Sequence, residues 1–214
     1  MKLDWSYDSP LISKANAAAD ILFLNLVYLV CCLPVVTIGP ASAALAGVSF
    51  SVLKKEAGGV GLFWKLFRGN LKTFLLPWLG VLALGVVLLF DAYLLFFQPV
   101  SGAVFFAAVL VLLLVFYAMV LAHICMIHAR FDCGFRYMIS NAVLLSLAHP
   151  LRTLALLVLE LLPAALFFFW PQAFVFLTPV WLLCYCTPSS YAMAKIMAPV
   201  YRQLVADKNE SKPI

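Results

Sequence analysis

Charge is scarce in this sequence. Asp, Glu, Lys and Arg together make up 11% of its 214 residues, where a soluble domain typically carries about 25%. Hydrophobic residues make up 66% and the mean hydropathy is +1.08. A water-soluble protein must present a largely polar surface, so a globule in water is excluded and the lipid bilayer is the solvent that fits. Catalytic signatures are missing too. The chain has no G-x-S-x-G, no H-E-x-x-H and no phosphate-cradling loop followed by Lys-Ser or Lys-Thr. No catalytic residue and no cofactor are assigned, and a hydrolase or ATPase acting alone is not supported.

The six cysteines (Cys31, Cys32, Cys125, Cys133, Cys184 and Cys186) contain no C-x-x-C pair with a matching partner pair. A zinc site is therefore not expected, and no metal is assigned. Five of them lie in or beside apolar segments, where a free thiol behaves as a small hydrophobe. Cys133 falls in a connector and stays a thiol if that connector faces a reducing cytoplasm. The start of the chain, Met1 to Pro10, is mixed in charge and aromatic, without the pattern of a cleavable signal peptide. No internal repeat proposes the inverted halves of a secondary transporter.

What the chain does have is long apolar runs. A spanning helix needs about 20 apolar residues at 1.5 Å each. Four runs meet that standard: Phe74 to Phe97, Gly102 to Ile127, Thr153 to Trp170 and Ala173 to Ala194. Their connectors alternate. Gln98 to Ser101 and Pro171-Gln172 are short and uncharged. The others carry Lys54, Lys55, Lys65, Arg68 and Lys72, then Arg130, Arg136 and Arg152, then Lys195, Arg202, Lys208 and Lys212 in the tail. The net charge of +5 is thus a topology signal and not a nucleic-acid footprint. The positive-inside rule puts the basic connectors and the C-terminus in the cytoplasm.

The first apolar region, Ile21 to Leu53, is too long for one ordinary span and contains Pro34, Gly39 and Pro40 in its middle. Proline removes a backbone donor and biases the preceding residue away from helix, so the stretch reads as a turn or an unwound segment. Two solutions fit. One is a span, a tight turn at the outer face and a short return helix from Ala41 to Lys55, about 22 Å long. The other is a single broken helix with the N-terminus outside. Lys2 and Lys14 favour the first. Ala43, Gly47 and Ser51 form a small-residue stripe on the return helix that admits a close neighbour. After Gly58-Gly59-Val60-Gly61, the segment Leu62 to Lys72 places Phe63, Leu66, Phe67 and Leu71 on one face and Lys65, Arg68 and Lys72 on the other. That pattern is a helix lying in the cytoplasmic interface, facing anionic lipid or an acidic partner surface.

The expected fold is therefore all-α: a polytopic transmembrane bundle of about six segments, five if the first region is one broken helix, plus a cytoplasmic interfacial amphipathic helix. Residues 1–205 form a single membrane domain and 206–214 a polar, frayed cytoplasmic tail.

An ionisable residue inside a membrane is a functional candidate because it is costly there. Glu160, near the middle of its run and about 10 Å from the cytoplasmic end, is the foremost. Tyr28, Tyr117 and Tyr185 fall at similar depth. Glu160 fastens helices as a protonated or hydrogen-bonded group, or it relays protons or contacts substrate, or it meets lipid or an interface. Asp91 lies near the outer end of its run, within reach of headgroups. Asp20, Asn16 and Asn25 form a polar clamp on the first helix, bonding to each other or to the basic connectors. His123 and His128 are five apart and splay onto different faces, against a metal pair. His149 sits in a connector beside Pro150.

The stretch Ala19-Asp20, Leu24-Asn25-Leu26 and Cys32-Leu33-Pro34-Val35-Val36-Thr37-Ile38-Gly39-Pro40-Ala41-Ser42-Ala43-Ala44-Leu45, with Leu62 to Lys72 after it, resembles the YesL-like family of bacterial integral membrane proteins, a domain of unknown function. The resemblance implies a companion of carbohydrate uptake systems and supplies no catalytic residue. Three functional readings follow. One is a non-enzymatic accessory component of an oligosaccharide uptake system, with the lipid bilayer, sugar-importer subunits or a second copy as partners. Another is a small secondary transporter or channel with its site at the Pro34 to Pro40 break and Glu160. The third, an enzyme acting on lipid-linked sugar, has the least in its favour.

Overall fold

A computed structural model describes residues 10–97, 103–131 and 134–210. Residues 1–9, the connector 98–102, Cys133 and 211–214 lie outside the described residues, as do the side chains of Lys14, Asn16 and Lys208. Among the described residues all regular structure is helical. Nine α-helices follow in order: α1 (Pro10–Cys32), α2 (Ile38–Leu53), α3 (Val60–Thr73), α4 (Leu75–Phe97), α5 (Ala103–Arg130), α6 (Phe135–Ala148), α7 (Pro150–Phe169), α8 (Pro171–Cys184) and α9 (Cys186–Glu210).

The break in the first region is real and narrower than the sequence implies. The chain leaves α1 at Cys32, makes one 3₁₀ turn over Val35–Thr37 and is helical again from Ile38. Gly39 and Pro40 belong to the first turn of α2, where a missing N–H costs nothing because first-turn donors have no helical partner. Thr37 closes the break. Its hydroxyl lies 2.6 Å from the Cys31 carbonyl and 2.8 Å from that of Pro34, and its N–H donates to the Pro34 carbonyl.

The position of the break overturns the expectation of a turn at the outer face. Gly39 packs on the indole of Trp78, one turn into α4, and its carbonyl is 4.0 Å from the Cys125 Sγ, five residues before the end of α5. Those are the ends that the basic connectors join. The tip of the α1–α2 hairpin therefore lies within about 10 Å of them along the helix axes.

From that tip α2 runs along the last part of α5 and against α9 and α3. The main core joins Ala43, Ala46 and Phe50 of α2 to Ala122, Ile124 and Ile127 of α5 and to Met197 and Tyr201 of α9. Gly47, in the middle of the small-residue stripe, admits a close helix, and the helix is α3, whereas Ala43 packs in the main core. A Cβ on Gly47 would lie 2.7 Å from the Leu66 side chain, and Asn70 Nδ2 donates to the Pro40 carbonyl at 3.2 Å. Phe63 and Phe67 are buried against Ala41, Ala44, Leu45 and Val48, while Lys65, Arg68 and Lys72 stay exposed.

Helices α4 and α5 pair through Tyr117, whose hydroxyl donates to the Val81 carbonyl at 3.0 Å. Most of their other side chains point outward and are apolar. Two further corrections concern the second half. The connector read between Ile127 and Thr153 contains a helix, α6, which packs along α5 and meets α7 at a 107° bend. The run Ala173 to Ala194 is interrupted at Tyr185, between α8 and α9. Helix α9 then continues through Glu210, into the segment read as a tail.

Among the described residues, three segments are long and apolar enough to cross a membrane: Val35–Leu53, Leu75–Phe97 and Val104–Arg130. A fourth is added if the bent pair Phe135–Ala148 and Pro150–Pro163 counts as one. Ala19–Cys32 is apolar but shorter.

Candidate functional site

Two backbone irregularities shape a cavity in the middle of the bundle. Pro163 lies inside α7 and has no N–H to give the carbonyl four residues back, that of Leu159. The Tyr185 hydroxyl donates to that carbonyl from the break between α8 and α9. The same break leaves the first N–H groups of α9 without helical acceptors. Asn25, fully buried on α1, supplies one: its Oδ1 accepts from the Thr187 N–H at 3.0 Å and lies 3.3 Å from the Thr187 hydroxyl. Each irregularity is thus satisfied from a different helix, and α1, α7 and α9 stand apart around a cavity of about 330 Å³.

Its wall is largely apolar. The exceptions are Glu160, Tyr28, Ser42, Cys125, Tyr185, Cys186, Ser189 and Ser190. Tyr28 and Ser42 share a hydrogen bond at 3.0 Å, and Ser189 donates to the Cys186 carbonyl. Trp78 forms another part of the wall, with Nε1 buried and without an acceptor among the described residues. Among the described residues no Lys, Arg or His lines the cavity. Glu160 retains accessible surface, and among the described residues it has neither a hydrogen bond nor an ion pair. The Glu160 side chain is exposed, lines the cavity and has no fastening partner among the described residues.

The other candidates separate. Ile38 and Ser42, at the start of α2, bring the broken segment to the same cavity as Glu160. Pro34 is exposed at the hairpin tip, Gly39 packs on Trp78 and the Pro40 carbonyl binds Asn70. Asn25 bonds to Thr187 at the start of α9. Asp20 is exposed and lines a second cavity, between α1, α2 and α9. Asp91 is exposed on α4, away from both cavities. Lys65, Arg68 and Lys72 share the outer face of α3, where the Arg68 guanidinium lies 5.0 Å from the exposed Trp64 ring.

The histidines part as their spacing implied. His123 is buried, its Nε2 2.9 Å from the Thr153 hydroxyl, and His128 stacks on Phe74 at 4.2 Å. Among the described residues no group of three or more His, Cys, Asp or Glu side chains is placed to hold a metal ion. Sequence reasoning missed Trp78, Ser49 and Ser190 at the cavities. A signal for the serines was present: Thr187-Pro188-Ser189-Ser190 is a polar run inside an apolar segment, with a proline marking a helix start.

The fold and site define an all-helical protein of membrane-like composition with an internal, carboxylate-bearing cavity. Residues 21–92, about a third of the chain, match a protein-family model described as "Protein of unknown function, DUF624". That region covers α1 from Ile21, all of α2 and α3, and most of α4, and so includes the hairpin and the Trp78 wall. No curated protein and no solved structure matches the chain.

Proposed function

We propose that this chain is a YesL-like protein of a bacterial cytoplasmic membrane, in the class of small transporters or channels, and that the Glu160 cavity is its ligand site. One observation carries the reading: the Glu160 carboxylate opens on a cavity that has no cationic side chain among the described residues. A carboxylate held in apolar surroundings is costly and is retained at ion and substrate pathways. A volume of about 330 Å³ with a mostly apolar wall and a few convergent polar groups suits a small ligand. The basic connectors favour a cytoplasmic C-terminus. By the same rule the tip of the α1–α2 hairpin sits near the cytoplasmic face. The hairpin is then re-entrant, and the crossings fall to α4, α5 and the α7–α8 region.

The test is solute binding by the purified chain in liposomes, read by Trp78 fluorescence against a Trp78→Phe control, together with carbodiimide labelling mapped by mass spectrometry. Ligand-protected labelling of Glu160, and a response at least tenfold weaker in Glu160→Gln, are the expected results. A Glu160 that resists labelling, with no solute response, overturns the reading.

A second reading, an accessory component of an oligosaccharide uptake system, is favoured by the outer face of α3. There Lys65, Arg68 and Lys72 flank an exposed Trp64, as on helices that rest on anionic headgroups or an acidic partner. Co-purification in mild detergent should recover importer subunits. A partner-free monomer counts against it.

A further inference from the structure

The second cavity, about 470 Å³, lies between the base of α1, the end of α2, the Gly58-Gly59 turn and the start of α9. Asp20, Ser49, Thr187 and Tyr191 contribute its polar groups. Only one layer of side chains divides it from the Glu160 cavity. Ser49 faces the second cavity and Ser190 the first, and their hydroxyls are hydrogen-bonded to each other at 3.1 Å. Both serines are more than nine-tenths buried. The rest of the layer joins Asn25, bonded to Thr187, with the apolar side chains of Leu24, Leu45 and Val48.

Among the described residues each cavity holds one carboxylate and no Lys, Arg or His in its wall. Cavities lined by one sign of charge concentrate ions of the other sign. Aromatic rings beside the carboxylates (Tyr28, Trp78 and Tyr185 in the first, Tyr191 in the second) add attraction for cations carried on an organic body. The Ser49–Ser190 pair consists of groups that both donate and accept. A Ser–Ser bond can be exchanged for bonds to a passing hydrated or protonated species without stranding either hydroxyl.

We propose that the two cavities are the halves of one pathway for a small cation, closed in this conformation at the Ser49–Ser190 hydrogen bond. This rests on the reading of the Glu160 cavity as a ligand site and adds the ligand's charge, the route and the gate. The Asp20 cavity is the mouth on the side of the Gly58-Gly59 turn, and the Glu160 cavity is the inner chamber. A proton can cross the serine pair by relay with the partition shut, whereas an organic ammonium requires α2 and α9 to part.

The experiment uses the full chain in proteoliposomes with an inside-negative potassium diffusion potential. Radiolabelled tetramethylammonium uptake and pyranine-reported internal pH separate the two cation sources, and chloride flux serves as the anion control. Uptake of either cation without chloride is expected, with at least a tenfold loss in Ser49→Leu, which fills the partition. Because Ser49→Leu risks misfolding, Ser49→Cys and Ser190→Cys are labelled separately with an impermeant cationic methanethiosulfonate, and the adducts are located by mass spectrometry. Labelling from opposite sides of the vesicle is expected. Labelling of both positions from one side only overturns the pathway. Tetramethylammonium quenching of Trp78 that depends on Glu160 but comes without any cation flux also sinks the pathway, and it leaves the ligand site standing. Loss of quenching and flux together removes both.

Discussion

Gly39 and Trp78 are in contact so close that a Cβ on Gly39 would lie 2.1 Å from the indole ring. That approach seats the α1–α2 hairpin against the start of α4 and forms one wall of the Glu160 cavity. Gly39→Ala is expected to displace the indole and destabilise the fold by about 1–3 kcal/mol, as overpacking does. Gly61→Ala on α3, where a Cβ meets nothing within 4 Å, is the control: helix propensity should make it neutral or slightly stabilising. Thermal unfolding in detergent compares the two, and equal midpoints would refute the contact.

The Tyr185 hydroxyl serves the Leu159 carbonyl only because Pro163 cannot. Tyr185→Phe should cost about 1–3 kcal/mol, the penalty of a buried acceptor left unmade. Pro163→Ala restores a helical N–H to that carbonyl. The cost of Tyr185→Phe should therefore shrink in the Pro163→Ala background, a coupling that a double-mutant cycle reads directly. Additive effects would show that the two residues act independently.

Asn25 supplies an acceptor to the start of α9 from across the bundle. Asn25→Leu keeps the volume and strands the Thr187 N–H, so a loss of about 1–3 kcal/mol is expected. Hydrogen exchange should locate the loosening at the first turn of α9. Unchanged protection there would contradict the capping role.

Tyr201 is fully covered between Phe50 and Phe131, and among the described residues its hydroxyl has no partner. Burial pushes its ionisation well above the ordinary phenol value of about 10. The folded state then holds the proton while the unfolded chain releases it. The contribution is fully present below pH about 10 and is lost as pH rises beyond it. Tyr201→Phe should be neutral or stabilising at pH 7, and its alkaline loss of stability should be shallower than that of the parent chain. A steeper loss would reverse the assignment.

Much of the fold is legible in the residue pattern, and its failures have physical causes. α4 and α5 fall on two of the apolar runs because in lipid a continuous run is itself the signal. α3 lies one or two residues from its expected bounds, fixed by the glycines before it and by the spacing of Phe63 and Phe67. The break at Pro34 is marked by a proline, but proline is silent about which end of α4 the break will touch. That depends on Gly39 meeting Trp78, a contact between residues far apart in the chain. α6 was missed because Arg136 drew its segment into a connector, although Tyr137 to Ala148 is long enough for a helix. Glu160 stood out by its charge alone. The serines opposite each other on α2 and α9 did not, since hydroxyls are inexpensive in helices and become informative only when two helices bring them together.

Pro163 weakens α7 in mid-helix and Tyr185 interrupts the α8–α9 rod, so each alone is a place where the bundle can flex. The hydrogen bond from Tyr185 to the Leu159 carbonyl ties the two into one joint. Swinging α8 away from α9 withdraws the phenol and strands the Leu159 carbonyl one residue before Glu160. A movement of α8 against α9 is thereby felt at the residue beside the carboxylate.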